Sequence, residues 1–251
     1  PGGRGAQVWS GVCRDKAVVC GQDWFNGVFN ALCGDALVRW QVPEGQEVQP
    51  GTVVCEIEAF ARPLLTAERS AMNYLQSLSA VATRTRHFVQ LIEGTKSSIL
   101  DTRKTLPGMR LAQKYAVRVG GGVNHRIGLY DAVLIKENHI AAAGGVEAVL
   151  KRVQETAPQA RFVEIEVETL AQLDEALACG ARMILLDNMD IPTLQEAVRR
   201  NAGRAILEIS GGVNLQTVRT LAETGVDRIS IGALTKDVKA IDFSMRMEQL
   251  T

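Results

Sequence analysis

From Gly94 onward the chain alternates short apolar runs with amphipathic stretches, and this alternation limits the fold more than any other feature. The apolar runs fall at residues 98–100, 132–135, 162–167, 183–186, 205–209 and 228–231. Patterns of helical period separate most of them, at 109–119, 146–156, 170–178, 191–200 and 215–224. Strands separated by helices pair in parallel through right-handed crossovers. Six such strands close as a barrel or lie open as a doubly wound sheet. Polar or glycine residues end each strand from the third onward. That favours a barrel, whose active site lies at the carboxyl ends of its strands. No GxGxxG follows the first strand, which disfavours a dinucleotide-binding sheet.

Ahead of this region the pattern differs. Residues 1–60 read as a β-rich unit, with strands at 8–12, 16–21, 36–42 and 52–59 and a short helix at 23–32. Pro43-Glu44-Gly45 marks a turn. The hairpin around 44–58 looks like those of lipoyl and biotinyl carriers, which hold their group on an exposed lysine. Residues 17–61 contain no lysine, so the unit reads as a structural sandwich. A helix follows over 64–93, with Met72, Leu75, Leu78 and Val81 forming one apolar stripe.

Composition excludes several classes. Of 251 residues 46% are hydrophobic, enough for a sizeable core. Lys plus Arg is 28 and Asp plus Glu is 28, a balance that argues against a general nucleic-acid binder. The cysteines, Cys13, Cys20, Cys33, Cys55 and Cys179, are odd in number and lack CxxC spacing. Reduced thiols in the cytoplasm are the simplest reading. The histidines, His87, His125 and His139, show no zinc-binding spacing. No apolar run approaches the roughly 20 residues that span a bilayer. Residues 1–5 lack the features of a signal peptide, and Pro1 in place of Met suggests a start inside a longer protein.

Three cationic clusters, Arg103/Lys104, His125/Arg126 and Lys136/His139, follow strand-like runs or the triple glycine at 120–122. Any one lysine or arginine is an ordinary surface residue. Three clusters gathered at strand ends call for an anion, with His125 as a donor. Arg69, near the start of its helix, reads from the residues alone as a solvated cation.

Acids complement these cations. Glu164, Glu166 and Glu168 alternate along one strand and share a face. Buried carboxylates need cations, hydroxyls or a metal. One or two of these acids make only structural ion pairs, Glu164 or Glu168 rather than Glu166 or Asp187. Glu166 and Asp187 are placed to meet a ribose hydroxyl, Mg²⁺ or developing positive charge. Ser210-Gly211-Gly212 and Ile231-Gly232 follow the last two strands, where barrels often bind phosphate through backbone N–H groups. A phosphorylated sugar and a small polycarboxylate both fit such a pocket.

The segments Glu68-Arg69-Ser70-Ala71-Met72-Asn73, Asp101-Thr102-Arg103-Lys104-Thr105, Asn124-His125-Arg126 and Lys136-Glu137-Asn138-His139 resemble the quinolinate phosphoribosyltransferase family. So do Glu164-Ile165-Glu166-Val167-Glu168, Leu185-Leu186-Asp187-Asn188, Ser210-Gly211-Gly212 and Ile231-Gly232-Ala233-Leu234-Thr235. The resemblance covers nearly the whole chain. Ala67 stands where many relatives have glycine, and helices that usually precede the first strand are missing.

The resemblance implies an α/β chain: an N-terminal α/β sandwich with connecting helix over 1–93 and an incomplete, open α/β barrel over 94–236. A C-terminal segment over 237–251 packs back on the sandwich. It implies transfer of phosphoribosyl from phosphoribosyl pyrophosphate to quinolinate with decarboxylation, in a Mg²⁺-dependent cytoplasmic homodimer that shares Arg69 across its interface. Lys104, Lys136, Glu166 and Asp187 would be catalytic. Thr102, Arg103, His125 and Arg126 would join them in binding substrates. Ser210, Gly211, Gly212 and Gly232 would hold the 5-phosphate. Glu166 and Asp187 would face Mg²⁺ through pyrophosphate and water.

Overall fold

The computed structural model describes residues 6–247. Residues 1–5, where the signal-peptide reading falls, and 248–251, the end of the expected C-terminal segment, lie outside the described residues. In chain order the first elements are β1 (Gln7–Cys13), β2 (Ala17–Val18), α1 (Gln22–Leu32), β3 (Leu37–Trp40), β4 (Glu47–Val48), β5 (Val53–Ala59) and α2 (Ala61–Leu91). Then come β6 (Ser98–Leu100), α3 (Arg110–Val119), β7 (Val133–Ile135), α4 (Glu137–Ala143), α5 (Val146–Thr156) and β8 (Val163–Val167). The chain continues through α6 (Leu170–Ala178), β9 (Met183–Leu186), α7 (Ile191–Asn201), β10 (Ile206–Ser210), α8 (Val218–Glu223), β11 (Arg228–Ser230), α9 (Ala233–Lys236) and β12 (Phe243–Met247).

The chain divides into two compact units. Of the described residues, the first comprises 6–86, 111–121 and 234–247, and the second 87–110 and 122–233. This division cuts the chain differently from the expected boundaries after 93 and 236. The reason lies in local bonding. The Gln113 side chain of α3 donates to the Thr235 carbonyl, and Arg86 donates to the carbonyls of Val119 and Gly120. These bonds tie α3 and the stretch after β11 to the sandwich.

The first unit is an antiparallel sheet in the order β12-β1-β5-β3, with α1 and α2 supplying apolar faces. β12 enters beside β1, with Trp9 opposite Met247 and Cys13 opposite Phe243. Phe25, Phe29, Ile57, Leu64, Met72 and Leu75 are fully buried or nearly so and form its core. Gly120 shows how tightly α2 packs there. A methyl group on it would lie 2.5 Å from the Ala82 carbonyl oxygen and 2.6 Å from the Thr85 Cβ.

The second unit is the alternation read in the sequence. Its six strands are all parallel, in the order β6-β11-β10-β9-β8-β7. β6 and β7 are sequential strands, yet they end the row at opposite edges. The sheet runs through five pairings and leaves β6 and β7 unpaired with each other, in keeping with the incomplete, open barrel that was expected. Val123 forms an isolated parallel bridge to Leu100 on the β6 edge, and His125 and Arg126, two and three residues further on, line the cavity described below. Helix starts follow local chemistry. Asp190 caps α7 through the N–H of Thr193, with proline in the first turn. Thr169 caps α6 through the N–H of Gln172. The short α4 was not anticipated and begins immediately after Lys136.

Two expectations test this packing. Gly120→Ala lowers stability by roughly 1–3 kcal/mol, because neither the α2 backbone nor Thr85 can retreat cheaply; a thermal melt with an unchanged midpoint would contradict it. All five cysteines are free, and four are buried. Burial pushes the Cys55 thiol up to about 12 and raises Cys20 further. A thiol reagent at pH 8 should modify native protein at Cys179 alone and reach the others only after denaturation.

Candidate active site

Parallel pairing places the carboxyl ends of the six strands on one side of the second unit. A cavity of about 400 Å³ opens there. Thr102, Arg103 and Lys104 reach it from the segment after β6, and His125 and Arg126 from the segment after the Val123 bridge. Lys136 follows β7, Glu166 lies on β8, Asp187 follows β9, Ser210 ends β10 and Gly211 follows it. Ten of the thirteen site residues expected from the sequence thus line one cavity. Gly212 lines an adjoining cavity that shares Ser210 and Gly211. Gly232 sits so close to Lys104 that a Cβ there would lie 3.0 Å from the Lys104 Cδ. Arg69 is an exposed residue of α2 in the first unit.

The cationic rim is built by short local bonds. Arg110 donates to the carbonyls of Arg103 and Ile127, each at 3.1 Å, and to the Thr105 hydroxyl at 3.2 Å. It straps the two cation-bearing loops together, a role the sequence reading did not assign. The N–H of Lys104 donates to the Thr102 hydroxyl. Lys136 sits at the turn from β7 into α4, where its N–H donates to His139 Nδ1 at 2.9 Å. His139 therefore shapes the turn that carries Lys136. The Lys136 ammonium pairs with Glu166 at 3.3 Å. Gly211 and Gly212 have φ of 91° and 63°, the left-handed conformation that glycine adopts without strain. Two such residues in succession after β10 make a turn whose backbone N–H groups suit an anion.

The acids divide into two groups. Glu168 is exposed at the mouth, and repulsion from Glu137, then from Asp187 and Glu166, holds its pKa above the usual carboxylate range. Of Glu164 and Glu168, the two candidates for a structural ion pair, it is not the one: no cation pairs with it among the described residues, whereas Glu164 meets His125. Mg²⁺ takes oxygen ligands and keeps several waters, and the carboxylates of Glu166 and Asp187 both line the cavity. Glu166 and Asp187, within this group, are the residues that would hold it.

The second group is deeper. Glu164 is fully buried, and its carboxylate receives His125 Nε2 at 2.9 Å. Glu208, also fully buried, lies 3.3 Å from the same nitrogen. Burial alone lowers the His125 pKa, but hydrogen bonds and charge from the two glutamates outweigh it and push the value up to about 9. The N–H of Arg126 points at Nδ1 at 2.8 Å and restrains that rise, since a second ring proton must displace it. Fully buried Asp101 accepts the His125 N–H at 2.9 Å. Glu208 was absent from the expected site. Its signal in the sequence was a lone acid within the apolar run Ile206-Leu207-Glu208-Ile209.

Two family models account for nearly all of the chain. Quinolinate phosphoribosyl transferase, N-terminal domain, matches residues 7–79, and the C-terminal domain of the same family matches 81–246. A nicotinate-nucleotide pyrophosphorylase [carboxylating] of Mycobacterium leprae is 45% identical over 239 residues, covering 93% of this chain and 84% of that protein. A quinolinate phosphoribosyltransferase [decarboxylating] of Nicotiana tabacum is 37% identical over 255 residues, covering 94% and 72%. The nicotinate-nucleotide pyrophosphorylase structure from Francisella tularensis superposes with a TM-score of 0.94 at 42% identity, covering 97% of this chain and 86% of that one. Human nicotinic acid phosphoribosyltransferase shares the fold, with a TM-score of 0.68 at 15% identity. With both domains matched in order and the basic and acidic segments gathered at one cavity, the chain belongs to the quinolinate phosphoribosyltransferase family.

Proposed function

We propose that this chain transfers the phosphoribosyl group of phosphoribosyl pyrophosphate to quinolinate and releases CO₂, giving nicotinate mononucleotide and pyrophosphate for NAD biosynthesis. The observation that carries this reading is the cavity itself. It joins four flexible or forked cations, a left-handed glycine turn and two mouth carboxylates on a family scaffold. Quinolinate brings two carboxylates, and the phosphoribosyl donor brings a phosphate and a pyrophosphate. A site with Arg103, Lys104, Arg126 and Lys136 suits that load of negative charge.

The chain's residues then divide the work. The guanidinium groups of Arg103 and Arg126 present planar forks to the quinolinate carboxylates and hold its ring nitrogen against the anomeric carbon. Ser210, Gly211, Gly212 and Gly232 hold the 5-phosphate through hydroxyl and backbone donors. As the nitrogen forms its bond to the anomeric carbon and the bond to pyrophosphate breaks, positive charge grows on the ribose. Glu166 and Asp187 stabilise that charge. Lys104 and Lys136 offset the negative charge gathering on the leaving pyrophosphate. Mg²⁺, when bound, neutralises part of the pyrophosphate charge. The new pyridinium accepts the electron pair left at the adjacent ring carbon when CO₂ departs, and a proton then adds at that carbon.

The same reading places the enzyme in the cytoplasm as a homodimer in which Arg69 enters the neighbouring subunit's pocket. None of the helices among the described residues is long and apolar enough to cross a membrane.

Mass spectrometry with quinolinate, phosphoribosyl pyrophosphate and Mg²⁺ should show nicotinate mononucleotide and CO₂ rising in step. Nicotinate in place of quinolinate should give no nucleotide. Glu166→Gln and Asp187→Asn should each cut kcat by roughly 10²–10³-fold, the range for removing a group aimed at developing charge; full activity in both would overturn their assignment. Arg69→Ala and Lys104→Ala chains, each inactive alone, should recover activity when mixed, because one pocket of the mixed dimer is then intact. No recovery would remove Arg69 from a shared site.

A further inference from the structure

The feature left unexplained by the reaction is the charge buried beneath it. Glu164 on β8 and Glu208 on β10 are each 0% exposed and converge on one imidazole nitrogen. Beyond that approach, neither oxygen of Glu208 has a hydrogen-bond partner among the described residues. Buried carboxylates with so few partners cost stability, and barrel interiors are ordinarily filled by branched apolar side chains. Packing therefore does not account for them.

We propose that Glu164 and Glu208 are positioning residues. Together they fix the His125 ring, and through it the Arg126 segment, in the orientation that receives the quinolinate carboxylates. This rests on the function proposed above. The chain of contacts is short. Asp101 holds the His125 backbone N–H, and the two glutamates hold Nε2 from adjacent sides. The Arg126 N–H approaches Nδ1 at 2.8 Å, so the ring's angle and the start of Arg126 are set together. The Arg126 guanidinium then donates to the Ala132 carbonyl at 3.3 Å and reaches the cavity beside Arg103. The edge of the imidazole meets Phe162, with centroids 5.5 Å apart, which leaves the ring little room to turn. Glu208 shares a row with Leu185 and Glu166 across β8, β9 and β10, so the positioning pair adjoins the mouth carboxylates but acts one step away from substrate.

The test is a double-variant cycle on the full chain. Glu208→Gln and Glu164→Gln keep shape and remove charge. Each should raise KM for quinolinate by about tenfold, as expected for weakening a charge-assisted contact, and leave KM for phosphoribosyl pyrophosphate in place. His125→Gln should raise the same KM, and adding Glu208→Gln to it should change little, within about twofold. A fall in kcat with both KM values unchanged would make Glu208 a catalytic group and overturn the proposal. Additive losses in the double variant would do the same. Nitrogen-15 spectra of the three histidines read the ring without substrate: Glu208→Gln should shift the His125 Nε2 resonance, and an unmoved signal would overturn the proposal. So would one equivalent of a divalent metal retained by the wild type and lost in Glu208→Gln. If wild type fails to turn over quinolinate, the functional reading fails alone, and the ring resonance still decides the positioning.

Discussion

Parallel strand pairing is the constraint on which the rest of the second unit depends. It forces six strands to run the same way, so their carboxyl ends gather at one face. Residues far apart in sequence, such as Arg103 and Ser210, thereby reach one cavity. β6 and β7 are left unpaired with each other, and the segment that follows Val123, bridged to β6, brings His125 and Arg126 to the same cavity.

The interior of this barrel holds charge where apolar side chains would be more stable. Asp101, Glu164 and Glu208 are fully buried, and His125 and Arg126 are nearly so. Burial of ions is offset only where geometry and hydrogen bonds are good. Asp101 meets this condition by accepting the His125 N–H, while Glu208 does so poorly. At the mouth the balance is different, because solvent reaches Lys136 and Glu168 and screens their charges. The site thus has a rigid charged floor and an adaptable charged rim.

The sequence by itself determined the strand–helix alternation, because apolar period is a local property of the chain and each buried parallel strand reads as an apolar run. It also determined the residue types at strand ends, hence the basic and acidic segments that became the cavity. The family resemblance rested on those same segments. What sequence could not decide was which acid faces which cation. Glu164 and Glu168 share a strand face, yet one is buried against His125 and the other repelled at the mouth. Four residues of extended chain, roughly 13 Å at about 3.3 Å per residue, separate a dry environment from a wet one. Glu208 was hidden for the same reason: its partner lies 83 positions earlier in the chain, and only closure of the sheet brings the two within 3.3 Å. Likewise the assignment of α3 to the sandwich follows from long-range bonds by Gln113 and Arg86 that no local pattern encodes. Local periodicity sets the elements, but depth and charge pairing are properties of the packed chain.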